Sequence, residues 1–152
     1  MVLLVMGMMF QAATALSDEL RHADDLCRKI EMTMNALVGS TRTTCVPILA
    51  HKTVSFLIIS EKPIFSGKSE DKEWLIATVG AVANVINART AIKSAEVFVS
   101  DRNMMKERRG YKYPTALAKT LQQQTRAHQM GLEELYQQLN SALIPTSVSK
   151  IR

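Results

Sequence analysis

Charge is missing from the opening of this chain: the first seventeen residues, MVLLVMGMMFQAATALS, contain no Lys, Arg, Asp or Glu. Val2 to Phe10 is a single apolar run, too short for the about 20 residues that span a bilayer comfortably. The absence of any basic residue before Arg21 also removes the positive n-region of an ordinary secretory signal. What remains has the shape of such a signal, an apolar stretch followed by Ala13-Thr14-Ala15 as a cleavage motif and Ala15-Leu16-Ser17 as a second one. Either the true start lies upstream or the signal is atypical. An apolar first helix or strand of the folded domain is the alternative, and an uncleaved anchor ranks below both. The expected organisation is a signal peptide over 1–17 cut after Ala15 or Ser17, one domain over 18–145 and a frayed tail over 146–152. An exported protein, periplasmic or secreted, follows from that leader.

Cysteine is scarce as well. Cys27 and Cys45 are the only two, and neither has a neighbour at the C-x-x-C spacing of a zinc site. In an oxidising compartment they are expected to pair, and closing that loop stabilises a fold by about 3 kcal/mol through chain entropy. Unpaired, Cys45 with His51 or His128 would be a thiol and a base, a chemistry that the bridge abolishes. A phosphate loop is incomplete too. Gly67-Lys68-Ser69 ends like G-x-x-x-x-G-K-[ST], but Lys62, followed by Pro63, stands where the first glycine must turn. Ser69 is read instead as the N-cap of a helix, with Glu70, Asp71 and Glu73 in its first turn. Nucleotide is therefore not expected. His22 with Asp18 and Asp25 lies on one side of a helix at metal-binding spacing, yet without a second histidine it reads as a solvated face, so neither metal nor cofactor is expected.

No internal repeat and no long linker interrupts the 152 residues, of which 47% are apolar and 22% charged, as in one globular domain. Leu20, Ala23, Leu26, Cys27, Ile30, Met34, Leu37 and Val38 recur at steps of three and four and mark a helix ended by Gly39. TVSFLIIS, Thr53 to Ser60, is the best strand, while Pro47 confines TCVPILA to an edge strand or an irregular approach. A helix from Ser69 to about Ala91 carries a large-residue stripe and a stripe of Ala77, Gly80, Ala81, Asn84 and Ala88, which predicts burial on two sides. AEVFVSD supplies the next strand, allowing a βαβ unit over 53–100. Two leucine-bearing helices follow Pro114. The fold class is α+β, with two or three strands covered by helices.

The net charge of +5 favours anionic partners without selecting one. Its densest expression is the segment 102–113, punctuated as a loop by Gly110 and Pro114, in which Arg102, Lys106, Arg108, Arg109 and Lys112 flank Tyr111 and Tyr113. The expected function is non-catalytic binding of an acidic protein or surface partner through this loop. Nucleic acid ranks lower, because it requires a cytosolic chain whose leader is part of the fold, and membrane contact is expected only through an uncleaved leader. The second class is a small exported hydrolase with Asp101 or His51 in its site.

Overall fold

A computed structural model describes residues 21–39, 42–50, 53–86, 92 and 94–148. The leader over 1–17, with its cleavage motifs and Ser17, lies outside these residues. Helix α1, helical over 21–38, buries Ala23, Leu26, Cys27, Ile30 and Met34, the stripe expected from their spacing. Gly39 ends it with φ +63, a left-handed conformation that costs glycine nothing. Leu37 departs from the expected stripe: it is 58% exposed, with Cδ1 3.9 Å from where a Cβ on Gly80 would stand.

A five-stranded mixed sheet in the order β1-β2-β3-β4-β5 forms the centre. β1 (Thr43–Ala50) is an outer strand paired antiparallel with β2 (Thr53–Ser60), as Pro47 requires. β2 runs parallel to β3 (Glu96–Asp101), and helix α2 (Ser69–Val85) connects them, so the βαβ unit is present. Two further strands correct the expected two or three. β4 (Arg109–Pro114) pairs antiparallel with β3, and β5 (Ile144–Ser147) with β4. The end of the chain, expected to fray from 146, thus stays in the sheet through Ser147. The expected loop 102–113 is a one-turn helix α3 (Arg102–Lys106), a turn at 107–108 and most of β4. Helices α4 (Thr115–Arg126) and α5 (Leu132–Ala142) complete the described fold of a small single-domain α+β protein. No described helix is long and apolar enough to cross a membrane.

Helices α1, α2, α4 and α5 join one hydrophobic cluster with Cys45, Val54, Phe56, Ile58, Val97, Val99 and Tyr113 from one face of the sheet. Helix α2 is buried on two sides, with Trp74 and Leu75 as well as Ala77, Ala81 and Ala83 enclosed. Of the second stripe, Ala77 and Ala81 are buried, Gly80 is half-buried, Asn84 is exposed and accepts from Gln122 and Arg126 of α4, and Ala88 lies outside the described residues. The buried indole of Trp74 donates to Thr43 Oγ1 at 3.1 Å, which satisfies its one polar atom. On the opposite face the register aligns Val46, Leu57, Phe98, Lys112 and Ile144 across all five strands.

Cys27 and Cys45 are bonded, with Cα atoms 5.2 Å apart, and the bridge ties α1 to the outer strand. It fits an oxidising compartment. Beside it, the Cys45 backbone N–H donates to Glu31 Oε1 at 2.8 Å.

Candidate functional site

The basic segment sits at the end of the sheet where the parallel strands β2 and β3 finish together, Ser60 opposite Asp101. β1 begins at the same end, because Thr43 pairs with Ser60, and the Glu61 N–H donates to the Arg42 carbonyl at 3.0 Å. The fold therefore gathers Arg42 and Lys62 beside Arg102, Lys106, Arg108 and Arg109. No sequence spacing announces this; only the strand register does.

Asp101 builds the tip from beneath. It is 4% exposed, and its Oδ1 accepts the N–H groups of Asn103 and Met104 at 2.9 and 2.8 Å, capping α3. Its Oδ2 accepts the Ile64 N–H at 3.2 Å and so holds the loop that leaves β2. Both oxygens are engaged by backbone, which gives the carboxylate a structural task. Arg108 then turns the chain at φ +57, its N–H donating to the Met105 carbonyl, while Ser100 Oγ donates to the Arg109 carbonyl at 2.9 Å.

The charges at this end are unequal. Six cations stand with the exposed Glu61 and Glu107 and the buried Asp101 on residues 42, 61–62 and 101–109, while the start of α2, reached from β2 at this same end, adds Lys68 and Lys72 and the acids Glu70, Asp71 and Glu73, leaving a local excess of two within a chain of net +5. Arg102 Nη1 meets Glu61 Oε2 at 3.2 Å, and Arg109 pairs with Glu107. Such exposed pairs contribute about 0–1 kcal/mol and exchange readily for another anion. Arg42, Lys62, Lys106 and Arg108 are exposed and make no ion pair among the described residues.

The seven residues expected to act together divide three ways, because a strand sends successive side chains to opposite faces. Arg102, Lys106, Arg108 and Arg109 share the tip. Lys112 lies on the opposite sheet face, its ammonium donating to both Glu96 oxygens at 2.8 and 3.0 Å. Tyr111 is half-buried against Phe65, ring centroids 4.5 Å apart. Tyr113 is fully enclosed, its hydroxyl 2.9 Å from Thr78 Oγ1, and desolvation pushes its pKa above the usual tyrosine value while that hydrogen bond pulls the other way. Tyr113 is thus a core residue, not a surface contact.

The remaining sequence candidates resolve separately. Around Gly67-Lys68-Ser69 the chain's own acid takes up donors: Asp71 Oδ2 accepts from Ser66 N and Oγ, each at 2.7 Å, and from Lys68 N at 3.2 Å. Lys68 is the N-cap and Ser69 the first helical residue, so the capping task expected of Ser69 falls to Asp71. His22 and Asp25 are exposed on α1, Asp18 and His51 lie outside the described residues, and no metal-binding cluster occurs among those described. His128 is exposed in the turn after α4 with φ +55. The disulfide removes Cys45 as a nucleophile. A groove on the opposite sheet face, lined by Ile48, Thr53, Ser55, Phe98, Lys112 and Thr146, lies at the far end of the strands from α3. No family model matches the chain, and no curated protein or solved structure is significantly similar to it.

Proposed function

We infer that this chain is an exported, non-catalytic binding domain that engages an acidic partner through the sheet end carrying Arg102, Lys106, Arg108 and Arg109. The observation that carries the reading is the cluster of six cations on residues 42, 61–62 and 102–109 beside the two exposed carboxylates Glu61 and Glu107, four of those cations making no ion pair among the described residues. The buried disulfide and the apolar leader support export, and the capping duty of Asp101 and the occupied amides at Ser66 and Lys68 favour binding over catalysis at this end.

Affinity for soluble polyglutamate tests it, comparing Lys106→Glu/Arg108→Glu with Arg28→Glu/Lys29→Glu, a pair of exposed cations on α1 that changes the net charge equally. The tip pair should weaken binding by more than about tenfold, with a slope against salt that the control keeps. Melting temperature should hold in both. Equal weakening by the two pairs would mean that the whole molecule's charge, and no particular surface, attracts the anion.

A further inference from the structure

We propose that the sheet end bearing α3 docks onto an anionic lipid headgroup layer, Met104 and Met105 entering among the headgroups while the surrounding cations hold phosphate. This rests on the binding reading above and names its partner. Helix α3 buries none of its five residues. Met104 and Met105 are half-buried, and neither packs against the hydrophobic cluster that takes in the other helices. Two adjacent large apolar side chains thus sit at the tip, partly covered and outside that cluster.

Cations share this end of the sheet with them. Arg102 and Lys106 bound the turn of helix, Arg108 and Arg109 follow, and Arg42 and Lys62 rise from the neighbouring strand ends. Lysine and arginine lay their aliphatic stems along apolar material and keep the charged head in the polar layer, while methionine adapts its shape to an irregular or fluid surrounding. An apolar centre within a cationic rim suits a surface that offers phosphates and, a few ångströms deeper, acyl chains. An acidic polypeptide would employ the rim alone, so the methionines decide between the two. Each basic residue near an anionic bilayer contributes about 1 kcal/mol, roughly fivefold in partition, which makes several necessary for useful binding. Membrane contact, expected from sequence only through the leader, is here a property of the folded domain.

Co-sedimentation with vesicles tests this, using mixed phosphatidylcholine and phosphatidylglycerol, pure phosphatidylcholine, and soluble polyglutamate as the reference anion. The chain should bind the mixed vesicles and leave the pure phosphatidylcholine ones. Lys106→Glu/Arg108→Glu should weaken vesicle binding by well over tenfold. Met104→Ser/Met105→Ser should weaken it several-fold while leaving polyglutamate binding and melting temperature unchanged. Met104→Gln/Met105→Gln replaces that variant if serine unwinds α3. Binding of polyglutamate but not of mixed vesicles would overturn the lipid assignment and leave the binding end standing. So would methionine variants that bind vesicles like the parent. Failure to bind either anion would remove both readings.

Discussion

Tyr113 lies in sequence among arginines and lysines, yet its ring is enclosed and its hydroxyl shares a hydrogen bond with Thr78. Removing that oxygen in Tyr113→Phe should cost about 1 kcal/mol near neutral pH, read from denaturant midpoints. The sign reverses in alkali. Burial holds the folded-state pKa above the unfolded value of about 10, so the stability tied to this proton is complete below that pH and is lost as pH rises beyond it. The difference between parent and variant should therefore shrink above about pH 10 and then favour phenylalanine. A constant difference across that range would mean that the hydroxyl is not enclosed in solution.

At the scale of the element, what could be read in advance was whatever repeats locally. Helix α1, strand β2, helix α2 and strand β3 each carry their own apolar period, and the fold contains all four. β4 carries none: RGYKYP has charge, a glycine and a proline, and it becomes a strand because Val97 and Val99 offer it a partner to pair with. β5 has four residues, too few to show an alternation. The same blindness divided the candidate surface wrongly. A loop reading keeps Lys112 and Tyr113 beside Arg109, whereas the two-residue repeat of a strand turns Lys112 to the far face, and Tyr113, on the face of Arg109 but four residues further along the strand, is enclosed in the core. It also left out Arg42 and Lys62, which only cross-strand pairing brings near.

Helix α3 depends on one side chain in a way that can be measured. Asp101→Ala removes the acceptor for Asn103, Met104 and Ile64 at once and should destabilise the protein by about 2 kcal/mol. Amide hydrogen exchange at residues 103 and 104 should quicken beyond what the global loss explains. Asp101→Asn, which keeps one acceptor oxygen, should fall between the two.

For the molecule as a whole, the disulfide joins two regions that otherwise meet by packing and the Cys45–Glu31 hydrogen bond, α1 and the outer strand β1. Cys27→Ala/Cys45→Ala should lower stability by about 3 kcal/mol, seen as a fall in melting temperature of several degrees, while the sheet itself persists in circular dichroism. If the double variant melts like the parent, the bridge is incidental to the fold. Export then loses one of its supports, because the covalent link is what an oxidising compartment would provide.

Both outer strands contain a proline, Pro47 in β1 and Pro145 in β5, and the amide of Cys45, two residues from Pro47 and on the same edge, is already claimed by Glu31. A stray chain seeking to add itself as a sixth strand finds at β1 one nitrogen without hydrogen and one already taken, and at β5 a row only four residues long. Growth of cross-β fibres from the native state is obstructed at either border, so the protein can be concentrated at a surface without recruiting its neighbours into a common sheet.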